Sequence, residues 1–106
     1  MNDIVMVTDA SLESVLAADK PVILAIGASW CPDCRRAQPF FMQLAQANAD
    51  RAVFASCDSE QNPKVVETFA VKHIPTMVVV KNGKEVDRIV EVKTPGELKD
   101  FIERNL

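Results

Sequence analysis

The chain has 106 residues, of which 48% are apolar and 25% charged, with twelve Lys and Arg against fifteen Asp and Glu. This length and composition predict one domain over residues 1–106 with a single hydrophobic core, and they exclude a second domain or a long disordered tail. The net charge of −3, with no basic run longer than Arg35-Arg36, excludes the footprint of a nucleic-acid binder, and no apolar stretch approaches the ~20 residues that span a bilayer.

The chain begins with a predicted strand, helix and second strand. The β-branched run at 4–7 predicts the first strand, and Thr8, Asp9 and Ser11 are candidate N-caps for a helix with apolar residues at 12, 15 and 16. The unbroken apolar run at 22–26 is typical of a strand buried on both faces. We therefore expect it at the centre of a sheet.

The middle of the chain continues the alternation. Apolar residues between 37 and 45 predict a helix that starts at the cysteines and is kinked at Pro39, where a backbone donor is missing. A strand follows at 52–56. Asn62-Pro63 then provides a cap and a proline in the first helical position, which predicts a helix through Phe69 and Ala70.

The last third reads as a hairpin and a helix. Asn82-Gly83 between apolar runs at 77–80 and 86–92 predicts two antiparallel strands. A capping box at 94–97, with proline in the first helical position, begins a helix whose buried stripe is Leu98, Phe101, Ile102 and Leu106. The order βαβα, βα, ββα predicts an α/β fold with a mixed sheet.

The residues with chemistry are two thiols at the start of the second helix, in the segment Cys31-Pro32-Asp33-Cys34. A helix N-terminus offers unpaired amides and partial positive charge, which favours Cys31 as a thiolate nucleophile. Cys34, one turn inward, is placed to resolve a mixed disulfide on Cys31. Three cysteines are too few for a disulfide framework, and no secretory signal is recognisable at the start, so we expect a cytoplasmic protein.

A larger set of residues resembles the thioredoxin family. It comprises Trp30-Cys31-Pro32-Asp33-Cys34 after a buried strand, Pro39 in the next helix, Ile74-Pro75-Thr76 and Lys81-Asn82-Gly83-Lys84, and it covers nearly the whole chain. The resemblance implies a thioredoxin fold, with a central five-stranded mixed β-sheet flanked by four α-helices. It also implies a monomeric disulfide reductase that binds no cofactor and acts on protein or small-molecule disulfides. A Cys31–Cys34 disulfide would be recycled by an external reductant, a thioredoxin reductase.

The resemblance further implies where substrates bind. Pro75 is expected in a cis peptide bond facing the cysteines, and the backbone beside it would pair with the substrate chain. The expected substrate-binding residues are Trp30, Pro32, Asp33, Ile74, Pro75, Thr76, Val90 and Glu91.

The chain departs from the family pattern at five positions. Pro32-Asp33 replaces the usual Gly-Pro between the cysteines, which predicts a narrower substrate range. Ala25 and Ser56 stand where the family commonly has an Asp and a Lys, so the usual internal proton acceptor is missing. Glu91 replaces a glycine, which adds bulk and charge to the expected docking surface.

Three alternatives remain open. Cys31, Cys34, Cys57 and His73 are the residue types of a Cys₃His zinc site, but Cys57 and His73 stand outside any short ligand motif. A glutaredoxin-like enzyme linked to glutathione would share the fold, although its Gly-Gly element near the last helix is absent. A non-catalytic binding module would not need both cysteines. Cys57 itself is interpreted as a packing residue, with a regulatory thiol as the alternative.

Overall fold

The structure is a computed structural model that describes residues 4–106. Five strands form one sheet in the order β1-β3-β2-β4-β5, with β1, β3 and β2 parallel and β4 and β5 antiparallel to their neighbours. The strands are β1 (Ile4–Met6), β2 (Val22–Gly27), β3 (Val53–Asp58), β4 (Thr76–Lys81) and β5 (Lys84–Val90). The helices are α1 (Leu12–Leu16), α2 (Pro32–Ala47), α3 (Pro63–Thr68) and α4 (Pro95–Glu103). The predicted thioredoxin fold is therefore confirmed.

The sheet has a core on each face. On one face, α2 and α4 cover alternate residues of the central strands, and Phe41 of α2 meets Phe54 of β3 edge to face at 5.7 Å between ring centroids. On the other face, Leu12 of α1 and Val65 of α3 cover the remaining residues. The three central strands β2, β3 and β4 are thus covered on both sides, as the unbroken apolar run of β2 predicts for that strand. Within residues 4–106, no helix is long and apolar enough to cross a membrane.

The caps of the short helices differ from the prediction. Ser11 occupies the N-cap of α1 but makes no capping hydrogen bond with its side chain. Asp9 instead caps α3, where its Oδ1 accepts from the Val65 amide at 3.0 Å. Asn62 is the N-cap residue of α3, but its side chain makes no capping hydrogen bond. Its Oδ1 instead accepts from the Asp9 amide and its Nδ2 donates to the Asp58 carbonyl, which connects the loop before α1 to the loop before α3.

Two predicted elements end earlier than expected, both at a left-handed residue. The α3 helix stops at Thr68 because Ala70 adopts φ +49°. The β5 strand stops at Val90 because Glu91 adopts φ +54°, so the predicted strand residue Val92 is buried outside the strand. The capping box of α4 forms as predicted, with both the Thr94 and the Glu97 side chains bonded to backbone amides. The α2 helix continues through Pro39.

The two edge strands of the sheet are β1, which is short, and β5, which pairs irregularly with β4. At one edge, β1 has three residues. At the other, β5 carries four charged residues among seven, and the pairing of β4 with β5 shifts register between Val79 and Val80.

Candidate active site

The two cysteines lie at the N-terminus of α2. Because α2 follows β2 in the chain, this helix end lies at the carboxyl end of the parallel strands. Cys31 is the N-cap residue, with extended backbone, and Pro32 occupies the first helical position. The Cys34 amide donates to Cys31 Sγ at 3.2 Å, so the sulfur takes the place of a capping oxygen. A negative charge on this sulfur is stabilised by that hydrogen bond and by the helix dipole.

The loop before β4 faces the same sulfur. The Ile74-Pro75 peptide bond is cis, as the resemblance implied, and the Ile74 carbonyl lies 3.9 Å from Cys31 Sγ. Pro75 is buried, and its carbonyl accepts from the Glu91 amide at 2.7 Å. Thr76 is also buried, and its hydroxyl donates to the His73 carbonyl. The side chain of Thr76 is therefore turned away from any docking partner, and its backbone lies within the sheet.

The two thiols differ in environment. Only 5% of Cys31 is exposed, whereas Cys34 is partly exposed. The pKa of the Cys34 thiol is raised to about 12, first by burial and then by a hydrogen bond to Cys31 and the charges of Cys31 and Asp33, while a hydrogen bond with the Ala28 backbone lowers it. At neutral pH, Cys34 therefore keeps its proton.

Trp30 and Asp33 flank the cysteines and are each held by a second residue. Trp30 is 60% exposed, and its indole Nε1 donates to Glu60 Oε2 at 2.9 Å. The Asp33 carboxylate forms an ion pair with Arg36 Nη1 at 2.7 Å, one turn along the helix. The pair offsets part of the Asp33 charge.

Glu91 lies next to Pro75, and its carboxylate is close to two basic side chains. Its carboxylate is 3.4 Å from His73 Nδ1 and 3.6 Å from Lys93 Nζ. Val90, its neighbour, is 41% exposed and pairs with Thr76 across the hairpin. The expected docking residues Ile74, Val90 and Glu91 thus lie together beside the active-site turn.

A cavity of about 380 Å³ lies on the α2 side of the sheet and reaches Cys34. Ala25 and Ser56 pair directly across β2 and β3, and both line the cavity. Ala25 is half-buried here, not enclosed as the apolar run of β2 suggests, because the small side chains at these two positions leave space beneath Cys34.

Two residues near the cysteines were not identified from the sequence. One is Glu60, whose contact with Trp30 has no local sequence signal. The other is Gly27, where an added Cβ would lie 2.8 Å from Cys34 Sγ. A glycine at the end of an apolar strand and just before the cysteines is a recognised signal of close approach, so this second residue could have been found.

The third cysteine does not join the pair. Cys57 belongs to the core on the α1 and α3 side of the sheet, and its pKa is raised to about 11 by burial and then by the charges of Asp9 and Asp58. Among residues 4–106, no three His, Cys, Asp or Glu side chains are grouped so that they could hold a metal ion. Cys57 and His73 are therefore not brought together with Cys31 and Cys34 as a zinc site requires.

Comparison with known proteins gives a consistent result. The sequence model of the thioredoxin family matches residues 3–104. A thioredoxin of Mycobacterium bovis is 37% identical over 95 residues, which are 89% of this chain and 82% of that protein. A bifunctional thioredoxin reductase/thioredoxin of Mycobacterium leprae is 36% identical over 93 residues, 87% of this chain and 20% of that protein. The crystal structure of a Malassezia sympodialis thioredoxin superposes with a TM-score of 0.90 at 22% identity, over 99% of this chain and 92% of that one.

Proposed function

The chain belongs to the thioredoxin family of disulfide oxidoreductases, and from this premise we propose that it reduces protein or small-molecule disulfides with Cys31 as nucleophile and Cys34 as resolving thiol. The observation that carries the proposal is the cap of α2. Cys31 Sγ accepts the Cys34 amide at 3.2 Å, in the position where a helix N-terminus best stabilises an anion.

In the first step, the Cys31 thiolate attacks one sulfur of the substrate disulfide. A bond forms between Cys31 and that sulfur, and the other substrate sulfur leaves as a thiolate. Substrate would approach over the surface formed by the exposed residues Trp30, Pro32 and Val90 and the partly exposed residues Ile74 and Glu91. The backbone around Pro75 is the expected pairing edge for an extended substrate chain.

In the second step, Cys34 attacks Cys31 Sγ and releases the remaining substrate thiol. The raised pKa of Cys34 keeps it protonated until this point, which protects it from side reactions. Two of the causes of that pKa, the hydrogen bond and the charge of Cys31, disappear once Cys31 is in a mixed disulfide. Deprotonation of Cys34 therefore becomes easier when resolution requires it.

The Cys31–Cys34 disulfide that results is the redox-active group, and the protein needs no bound cofactor. We propose that a thioredoxin reductase restores the dithiol, and the fused reductase/thioredoxin of M. leprae supports this pairing. Charged groups beside the cysteines, Asp33 and Glu91, support a narrower substrate range than that of a general thioredoxin. A monomer in the reducing cytoplasm fits the use of free thiols.

Single cysteine variants test the two roles. Cys34→Ser should accumulate a covalent mixed disulfide on Cys31 with an insulin chain, whereas Cys31→Ser should trap little and reduce nothing. Mass spectrometry of non-reduced samples, with the Cys57→Ser variant as the control for a third thiol, measures the trapping. Equal trapping by Cys31→Ser and Cys34→Ser would contradict the assignment of nucleophile and resolving thiol.

Two other functions predict different results. A glutaredoxin-like enzyme would turn over glutathione mixed disulfides with glutathione as the reductant, and this activity is measured directly. A binding module would keep its partner when both Cys31 and Cys34 are replaced by Ser.

A further inference from the structure

The cavity beneath Cys34 has a feature that the proposed cycle does not use. It is open to solvent between β1 and α2, where Met6 is 62% and Met42 is 39% exposed. Its wall is mainly apolar, and Cys34 is one of the residues that line it. The residues that define it, here called the Cys34 cavity, are Ile4, Ala25, Cys34, Phe41, Ser56 and Met77.

We propose that the Cys34 cavity is a second entrance to the active-site disulfide, through which a low-molecular-weight monothiol attacks Cys34 of the oxidised protein. The inference rests on the proposed redox cycle of Cys31 and Cys34. It adds a direct route of reduction by a small thiol, separate from the surface on which a protein substrate or a reductase would dock.

The lining of the Cys34 cavity favours attack on Cys34. Of the two active-site cysteines, the cavity wall includes Cys34 and not Cys31. Displacement at a disulfide sulfur requires the incoming sulfur to approach opposite the leaving one. A thiol that enters the cavity meets Cys34 and not Cys31, so in the proposed attack Cys31 is the leaving sulfur.

Cys31 is also the better leaving group of the two cysteines. When the disulfide opens, the electron pair goes to Cys31, whose sulfur receives the hydrogen bond of the Cys34 amide at the N-terminus of α2. Attack on Cys31 would instead expel a Cys34 thiolate into a partly buried site. Exchange is faster when the leaving thiol is the more stable anion, so a small thiol that can reach both sulfurs should prefer Cys34.

The balanced sequence has two steps. A monothiolate forms a bond with Cys34 Sγ, the Cys31–Cys34 bond breaks, and Cys31 leaves as a thiolate. A second monothiolate attacks the external sulfur of the adduct, a small symmetric disulfide departs, and Cys34 takes up a proton from solvent in the cavity. Two small thiols are oxidised, and one protein disulfide is reduced.

The size and polarity of the cavity define the thiol. About 380 Å³ is at the lower end of the volumes of small-molecule sites, which admits a compound of amino-acid size and excludes a folded protein. Ser56 supplies a hydroxyl within otherwise apolar walls, and Arg35 and Asp58 lie at the polar parts of the lining. A small thiol without a large net charge fits this lining best.

The first experiment locates the adduct in the unmodified chain. Oxidised protein is mixed with 2-mercaptoethanol, quenched in acid within milliseconds to seconds, and alkylated with N-ethylmaleimide, and tandem mass spectrometry assigns each label. The expected early product carries mercaptoethanol on Cys34 and maleimide on Cys31. An early adduct on Cys31 would overturn the proposal.

The second experiment closes the cavity. Ala25→Val and Ser56→Val each add bulk at a strand position that tolerates a β-branched residue, and Ser14→Val, on exposed α1, is the matched control. Each cavity variant should slow reduction by 2-mercaptoethanol roughly tenfold or more, because overpacking the route costs at least that factor, while Ser14→Val should not. Equal rates in all three proteins would show that the thiol enters elsewhere and would overturn the proposal.

Two readouts separate this inference from the proposed function. Urea unfolding of each variant excludes a loss of fold, and two variants on different strands guard against the failure of one. Insulin reduction by the protein, previously reduced with dithiothreitol, tests the proposed function without using the cavity. A protein that forms the Cys34 adduct but leaves insulin intact would contradict the proposed function alone.

Discussion

Replacement of Glu91 by glycine should stabilise the fold slightly and change its substrate preference. Glu91 adopts φ +54°, a conformation that costs a non-glycine residue about 1 to 2 kcal/mol. Glycine removes that cost but loses roughly 0.4 to 1 kcal/mol through the greater entropy of the unfolded chain. It also removes the exposed ion pair with Lys93, worth about 0 to 1 kcal/mol, and a contact with the His73 ring. We expect a net stabilisation of about 0 to 0.5 kcal/mol.

Ala70→Gly is the matched control for the backbone. Ala70 has φ +49° and is exposed, so the same substitution there changes the strain without removing an ion pair. It should stabilise the fold by about 0.5 to 1 kcal/mol. Urea unfolding in low salt should separate the two variants, and in 1 M salt their gains should converge because exposed pairs are then screened. A loss of stability in Glu91→Gly that persists in high salt would refute this reasoning.

The activity of Glu91→Gly tests the docking role of the residue. Its carboxylate lies beside Pro75, where an extended substrate would pair. Removing its bulk and charge should raise the rate of insulin reduction relative to cystine, since cystine makes few contacts beyond the sulfurs. If both rates change by the same factor, Glu91 does not determine protein substrate preference.

Two further predictions concern Gly27 and Asp87. Gly27→Ala should lower the free energy of unfolding by about 1 kcal/mol and slow the resolving step of Cys34, because the new Cβ would lie 2.8 Å from Cys34 Sγ. Gly96→Ala is the control, since the nearest atom to its new Cβ is 3.9 Å away, and it should be neutral or stabilising. Urea unfolding and mixed-disulfide trapping measure both variants. Hydrogen bonds from Arg104 and then Asn105 lower the pKa of Asp87 from 3.8 to about 2. The ionised Asp87 carboxylate therefore adds to the free energy of unfolding above pH 4, and this addition is lost as the pH falls towards 2. Asp87→Asn should therefore be less stable than the parent chain near pH 6, by up to about 1 kcal/mol for an exposed pair, and equal to it near pH 2; a constant difference across a series of unfolding curves would contradict this cause.

Local signals in the sequence account for most of the fold. The hairpin at Asn82-Gly83 and the capping box at Thr94 and Glu97 depend on residues within four positions of each other, and both form as predicted. The unbroken apolar run of β2 correctly indicates the centre of the sheet. The cis bond before Pro75 and the five-stranded sheet flanked by four helices were implied by the family resemblance, since local patterns alone do not provide them.

Features that depend on distant residues could not be predicted. Asp9 caps a helix whose amide at Val65 is far away in the sequence, so a rule based on the nearest helix assigned it wrongly. Trp30 and Glu60 meet only because α2 and the loop after β3 begin at the same end of the sheet. The space beside Ala25 depends on Ser56 and on how closely α2 approaches, which the sequence does not state. The roles of the docking residues stay predictions.

The edges of the sheet have a consequence for behaviour at high concentration. An exposed strand edge offers unpaired amides and carbonyls to another chain and is a common start of aggregation. Here one edge, β1, is only three residues long, and the other, β5, carries Lys84, Glu85 and Arg88 next to a register shift. Short length, mixed charge and irregular pairing all oppose the addition of a strand from a second copy. The chain can therefore expose a reactive, partly apolar surface around Trp30 while its backbone gives little opportunity for self-association through β-sheet pairing.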